Sequence, residues 1–84
     1  MSDESIAARI EQLVSEEHEL RNLEEVDSTD VAALTEDRRR LERVSVELDR
    51  CWDLLRQRRA LRDAGGNPDD AEVRDAKTVE NYLS

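Results

Sequence analysis

The sequence predicts an all-α fold, an antiparallel two-helix hairpin of the coiled-coil type followed by a short, partly helical C-terminal tail. Two segments carry apolar residues at alternating spacings of three and four, the period of one helical face. A polar, turn-like stretch separates them. A single antiparallel register brings the two apolar stripes face to face. We therefore divide the chain into a hairpin, residues 1–66, and a tail, residues 67–84.

The first helix is predicted to start at Ser2 or Asp3 and to end near the polar stretch EEVDSTD, residues 24–30. Either residue is a suitable N-cap, because a short side chain bearing an oxygen can accept a hydrogen bond from the free amides of the first turn. The apolar stripe of this helix comprises Ile6, Ile10, Leu13 and Leu20. Glu17 fills the gap in the spacing, so the stripe follows one helical face.

The second helix has the stronger pattern. Thr35 is a plausible N-cap, with two acids following in the first turn. Gly65 and Gly66 are predicted to end the helix, since glycine commonly follows the last helical residue. The helix then has about 30 residues and a length of about 45 Å, at 1.5 Å per residue. Its apolar stripe comprises Leu41, Val44, Leu48, Cys51 and Leu55.

One antiparallel register pairs the two stripes. If the turn is centred between Asp27 and Leu34, facing residues have numbers that sum to 61. The facing pairs are then apolar on both sides: Leu20 with Leu41, Leu13 with Leu48, Ile10 with Cys51, and Ile6 with Leu55. Two stripes identified separately agree on one hairpin, as expected when local and global preferences match.

The tail begins with a turn signal. Asn67 as N-cap and Pro68 at the first helical position predict a short helical turn. Asp75 is placed to cap a further helix over residues 76–83. The apolar anchors of the tail are Val73, Val79, Tyr82 and Leu83.

The net charge of −9 limits the partners of the chain. It disfavours the nucleic-acid backbone and anionic membranes, both of which repel an acidic protein. No run approaches the roughly 18 apolar residues of a membrane span. The N-terminus lacks the features of a signal peptide, and a lone cysteine suits a reducing compartment, so the sequence favours a cytoplasmic protein.

The core must be small, because the chain has 84 residues, of which 42% are charged. Chains of this kind usually depend on disulfides, a metal or oligomerisation. One cysteine excludes an internal disulfide, and Cys51 with His18 gives too few ligands for zinc. We therefore expect no metal and no cofactor, and a homodimer.

The stretch CWDLLRQRRA, residues 51–60, resembles a family of short bacterial hypothetical proteins. The likeness extends to VELD at 46–49, VENYL at 79–83 and LVSEEHELR at 13–21, and covers most of the chain apart from the turn around residues 26–34. The family is known only as a domain of unknown function. The resemblance thus supports a single, mostly helical domain and implies no reaction, ligand or catalytic residue.

The apolar residues around Cys51 and Trp52 spread wider than the stripe that one partner helix covers. Small monomers rarely keep such a patch in water, so we predict a twofold interface in a homodimer. The alternative is a monomer whose tail folds back, with Val79, Tyr82 and Leu83 over Trp52. Cys51 is interpreted as a small apolar residue, because it has no resolving cysteine. The predicted interface residues are Leu48, Cys51, Trp52, Leu54 and Leu55.

Residues 38–62 carry a net charge of +5, between an N-terminal segment of −10 and a C-terminal one of −4. The last arginines of the second helix extend beyond the reach of the first helix in the predicted register. The candidate partner-binding residues are Arg56, Arg58, Arg59 and Arg62. Two interpretations stay open: they pair with the acidic tail or a second subunit, or they bind an external acidic protein.

No nucleophile with its base, phosphate-binding loop or pair of catalytic acids can be named in the sequence, so we predict that the protein is not an enzyme. The favoured hypothesis is a non-enzymatic helical module that binds another protein. The alternative is a regulator that presents the acidic hairpin tip, around Glu24, Glu25 and Asp27, to a basic protein surface.

Overall fold

The computed structural model describes residues 2–74. In this part the chain forms helix α1, Asp3–Val26, helix α2, Val31–Asp63, and a 3-10 turn, Pro68–Asp70. The two helices pack along each other, and residues 2–74 contain no strand, which confirms the all-α hairpin. The predictions for the end of the tail lie outside the described residues: Asp75, the helix over 76–83, Val79, Tyr82 and Leu83.

Helix α1 begins with a reciprocal cap. The Ser2 side chain accepts a hydrogen bond from the Ser5 amide at 3.1 Å, and the Ser5 side chain accepts one from the Ser2 amide at 3.0 Å. Each bond satisfies an amide that has no partner within the helix. The prediction of Ser2 as the N-cap is confirmed. The helix ends at Val26, and Asp27 is its C-cap.

Helix α2 begins five residues earlier than the Thr35 cap requires, so that prediction is wrong. Asp30 is the N-cap, and its carboxylate accepts a hydrogen bond from the Ala33 amide at 3.1 Å. Thr35 lies inside the helix, where its hydroxyl donates to the Val31 carbonyl at 2.8 Å. Asp30 competes successfully because the residues after it include two alanines, the strongest helix formers, and no glycine or proline. The turn is thus only residues 27–30.

Helix α2 ends as the two glycines predict. Gly65 adopts a φ of 78°, in the left-handed region where residues with a Cβ are strained. Its amide donates to the Arg62 carbonyl at 3.1 Å, and the Gly66 amide donates to the Leu61 carbonyl at 2.7 Å. These two bonds form a Schellman motif and satisfy carbonyls that the helix leaves without partners.

The 3-10 turn of the tail confirms the short helical turn that Asn67 and Pro68 predict. The Asn67 side chain accepts a hydrogen bond from the Asp69 amide at 3.0 Å, and Pro68 occupies the first position of the turn. This turn packs against α2. It therefore brings the beginning of the tail back onto the hairpin.

The core consists of two apolar clusters along the seam between α1 and α2. The cluster toward the helix ends, that is, toward the start of α1 and the end of α2, contains Ile6, Ile10 and Leu54. The cluster toward the turn contains Leu13, Leu20 and Val44. Leu48 and Cys51 pack against both clusters. Truncating a leucine that is fully buried in such a core costs about 2–5 kcal/mol.

The four facing pairs of the predicted register agree with this division. Leu20 and Leu41 belong to the cluster near the turn, as do Leu13 and Leu48. The other two pairs, Ile10 with Cys51 and Ile6 with Leu55, belong to the cluster near the helix ends. Neither α1 nor α2 is long and apolar enough to cross a membrane.

Candidate functional site

Trp52 lies on one flank of α2 with 53% of its surface exposed. It lines a shallow groove together with Asp49, Leu55, Arg56 and Arg59. An indole that is half exposed between charged side chains combines a large apolar area with a polar edge. This is the composition typical of the centre of a protein contact.

The other predicted interface residues are less accessible. Leu48, Cys51 and Leu55 are partly buried against the core. Leu54 is 6% exposed and packs with Ile6 in the cluster near the helix ends. The tail explains the position of Leu54, because Ala71 packs against the same cluster and widens the core beyond the stripe that α1 covers. Trp52 alone among the five residues presents a mostly open side chain.

Cys51 is a free thiol that is partly buried beside the core. Burial raises the pKa of the Cys51 thiol above its ordinary value of 9.0, although the nearby Arg9 charge acts in the opposite direction. A thiol with a raised pKa stays protonated at neutral pH and is a poor nucleophile. This agrees with the interpretation of Cys51 as a small apolar residue.

Arg58 and Arg62 form ion pairs with acids of the chain itself. Arg58 is buried, and its guanidinium donates to the Asp3 carboxylate at 2.5 Å, the Asp69 carboxylate at 3.0 Å and the Pro68 carbonyl at 3.2 Å. Arg62 donates to the other Asp3 oxygen at 2.8 Å. The hydrogen bonds from Arg58 and then Arg62 lower the pKa of the Asp3 carboxyl. These arginines therefore connect α2 to the start of α1 and to the tail turn.

The other two arginines lie beside Trp52. Arg56 is partly buried, and Arg59 is exposed. Arg59 makes no ion pair with any residue in the range 2–74. Its charge is thus available to a partner that covers the Trp52 groove.

Sequence reasoning missed a second ion pair, between Asp53 and Arg74. The Asp53 carboxylate is fully buried and accepts hydrogen bonds from the Arg74 guanidinium and, at 2.9 Å, from the Gln57 amide. Burial alone would raise the pKa of Asp53, but these hydrogen bonds outweigh it, and the pKa is lowered. Gln57 also donates to the Glu72 carbonyl at 2.7 Å. The sequence does show that Asp53 is an acid between two apolar residues of α2. It does not show the partner, because Arg74 lies 21 residues further along the chain.

At the hairpin tip, acidic side chains lie close to one another. Asp37 is 6% exposed, and its Oδ2 has no hydrogen-bond partner within residues 2–74. Oε1 of Glu24 is likewise buried without a partner there. The pKa of Asp37 is raised, first by a hydrogen bond that its protonated form donates to Asp27 and then by burial. No group of side chains within the described range has the arrangement of a metal site.

A cavity of about 330 Å³ opens between α1, α2 and the beginning of the tail. Its wall is formed by apolar side chains, namely Ile6, Cys51, Leu54 and Val73. Three charged side chains line it as well, Arg9 of α1 and Glu47 and Arg50 of α2. The cavity is separate from the Trp52 groove, since the two have no lining residue in common.

Comparison with known proteins places the chain among proteins without an assigned role. Residues 2–84 match a family described as "Protein of unknown function (DUF2630)". Uncharacterized proteins of Mycobacterium bovis and Mycobacterium tuberculosis are each 46% identical to the chain over 81 residues, which is 96% of this chain and 90% of the relative. No solved structure matches the chain. The matches confirm the resemblance to short bacterial proteins of unknown function.

Proposed function

This chain belongs to the DUF2630 family of proteins of unknown function, and from that premise we propose that it is a non-enzymatic protein-interaction module whose contact surface is centred on Trp52. Trp52 carries the proposal, because the rest of the apolar stripe of α2 is already covered within the hairpin. Tryptophan and arginine are the residues most often found at the energetic centre of protein contacts.

The partner that we propose for this surface is a second copy of the chain. The flank of α2 that bears Trp52 has an acid, Glu42, on its N-terminal side and an arginine, Arg59, on its C-terminal side. Two such helices packed antiparallel around a twofold axis bring unlike charges together twice. At Glu42 and Arg59 this flank is therefore complementary to itself.

A specific register follows from that arrangement. When facing residues have numbers that sum to 101, Glu42 lies opposite the partner's Arg59. Val46 then lies opposite the partner's Leu55, and Asp49 lies beside the partner's Trp52. Each contact occurs twice, so both indoles are covered. Burying a side chain of this size contributes about 1.5–3 kcal/mol.

The test is a set of charge variants measured by sedimentation equilibrium. Glu42→Arg and Arg59→Glu should each weaken self-association, and the double variant should restore it, because the pair is re-formed with reversed signs. Trp52→Ala should weaken self-association about 30-fold or more, as expected of a central aromatic residue.

Arg9→Glu is the matched control, since Arg9 is exposed on α1 and lines neither the Trp52 groove nor the groove that contains Glu42 and Val46. It should leave the association constant unchanged. A wild-type protein that sediments as a monomer at millimolar concentration would overturn the dimer. A double variant that associates as weakly as the two single variants would overturn the register.

The hairpin tip supports a second candidate function, a regulator that binds a basic protein surface. Val26 and Val31 are each 78% exposed on either side of the turn, among the tip acids. Exposed apolar side chains surrounded by acids suit a partner that is both basic and apolar. Reversing the charges of Glu25 and Asp27 should then abolish capture of that partner but leave self-association intact, whereas Trp52→Ala should do the opposite.

A further inference from the structure

We propose that the cavity between α1, α2 and the tail binds a small aliphatic carboxylate, with the aliphatic chain against the apolar wall and the carboxylate between Arg9 and Arg50. This ligand site is independent of the proposed self-association. Trp52 and Leu54 are two residues apart, and at about 100° per residue they point to nearly opposite sides of α2.

The wall of the cavity suits an aliphatic chain. Ile6 and Leu54 are 2% and 6% exposed, and they form a rigid inner surface. Cys51 adds a thiol that is kept neutral by its raised pKa, so it behaves as a further apolar group. Val73 lines the cavity from the tail and is itself more than half exposed. Small-molecule sites are commonly lined in this way, with a few polar groups that fix orientation.

The two arginines provide the place for an anionic head. Arg9 makes no ion pair with any other residue among 2–74, and its charge reaches the Cys51 thiol on the opposite helix. Arg50 donates from one terminal nitrogen to Glu47 at 3.1 Å, but its Nε–H is buried without an acceptor in the described part of the chain. A buried donor without an acceptor is unfavourable, and a carboxylate would supply one. Glu47 also lines the cavity, but its carboxylate is paired with Arg50, so the three charged side chains of the lining carry a net charge of +1 and Arg9 is the one without an ion pair among residues 2–74.

The volume limits the size of the ligand. One water molecule takes about 30 Å³ of liquid volume, so a cavity of about 330 Å³ has room for about ten non-hydrogen atoms. Octanoate has that size and combines a flexible apolar chain with a single carboxylate. Nucleotides and membrane lipids are too large to be enclosed.

Cys51 allows the site to be tested in the full-length protein, because it is the one cysteine of the chain and lines the cavity. The rate of Cys51 alkylation by N-ethylmaleimide is measured by mass spectrometry as octanoate is added. Octanoate should slow the reaction in a saturable manner and should raise Tm, since a ligand that binds the folded state stabilises it. Octanol, with the same chain and no charge, should bind about tenfold more weakly.

Arg9→Gln is the decisive variant. Arg9 is exposed and unpaired among residues 2–74, so the variant should fold normally, as circular dichroism can verify. It should weaken octanoate binding about tenfold and leave octanol binding unchanged. The matched control, Arg39→Gln, changes an arginine outside the cavity and should bind octanoate as the wild type does. Absent or non-saturable protection by octanoate would overturn the proposal, as would equal protection by octanoate and octanol.

Discussion

The open end of the hairpin, where α1 begins and α2 ends, pairs acids with arginines, whereas the tip, where the chain turns from α1 to α2, brings acids together. At the open end Asp3 bridges Arg58 and Arg62, and Asp53 binds Arg74. At the tip Asp37 faces other acids, and no base lies in the last turn of α1. The open end contains the arginines at the end of α2, whereas the tip has more acids than bases, so the two ends differ in the partners that are available to their acids.

The helix dipoles increase the contrast. Acids lie in the first turn of α1 and Arg62 lies in the last turn of α2, both favourable positions at the open end. At the tip, Glu24 and Glu25 lie near the carbonyl end of α1, where negative charge is unfavourable. The open end therefore supplies stability, and the tip is where a substitution can add it.

The largest effect is expected from Asp53→Ala at the open end. The substitution removes a buried carboxylate and the hydrogen bonds that it accepts from the Arg74 guanidinium and the Gln57 amide. Breaking a buried ion pair costs about 3–5 kcal/mol, but Arg74 keeps about a third of its side chain in water. We expect a loss of about 2–3 kcal/mol in the free energy of unfolding, measured with urea.

The matched control is Asp70→Ala, which removes an exposed acid from the tail turn. Its effect should stay within about 0.5 kcal/mol, as for most surface substitutions. If the two variants were equally stable, the pairing of Asp53 would not be what distinguishes the open end.

Gly65→Ala should have a smaller effect at the same end. A Cβ on Gly65 would meet no atom within 4 Å, so the expected loss arises only from its left-handed backbone. That conformation costs a residue with a Cβ about 1 kcal/mol. D-alanine, introduced by chemical synthesis, favours positive φ and should be neutral or stabilising. A loss with D-alanine as large as with L-alanine would show that the Schellman motif is not the cause.

The two ends also show which features a sequence can predict. The Ser2 cap, the Gly65 stop and the apolar stripes depend on residues within one or two turns of each other, and local patterns report them well. The start of α2 is misassigned when only the cap residue is considered, because Asp30 and Thr35 are both good caps, whereas the two alanines after Asp30 favour the earlier start.

The contacts of the candidate site join residues that are distant in the sequence, so local patterns do not predict them. Arg58 pairs with Asp3 across 55 residues, and Asp53 pairs with Arg74 across 21. Charge patterns indicated that the arginines would find acids but not which ones. Leu54 was predicted to lie at a dimer interface, but it packs with Ile6 and Ile10 of α1 and with Ala71 of the tail, which are distant from it in sequence.

The smallest effect, and one of opposite sign, is expected from Asp37→Asn at the tip. Asp37 faces Asp27 and Glu24, which raise its pKa, and Arg40, which lowers it. The ionised form of Asp37 is repelled by these acids, and the neutral amide relieves that repulsion while donating a hydrogen bond to them. The variant should therefore be more stable than the wild type at pH 7. Glu36→Gln, which neutralises an exposed neighbour and removes only its surface ion pair with Arg43, should change stability less.

The stability contributed by the acids of the two ends is expected to change with pH in opposite directions. The folded-state pKa of Asp37 lies above the ordinary value of 3.8, so its protonated form stabilises the fold below pH 3.8, and this contribution is lost as the pH rises through the raised pKa. The advantage of Asp37→Asn should thus shrink as the pH falls from 7 toward 3.8. Asp3 and Asp53 have lowered pKa values, so their contribution is present above pH 3.8 and is lost below it. As the pH falls, the tip should therefore be stabilised first, and the open end should be weakened afterwards. If Asp37→Asn raised the free energy of unfolding by the same amount at pH 4 and pH 7, the raised pKa of Asp37 would be contradicted.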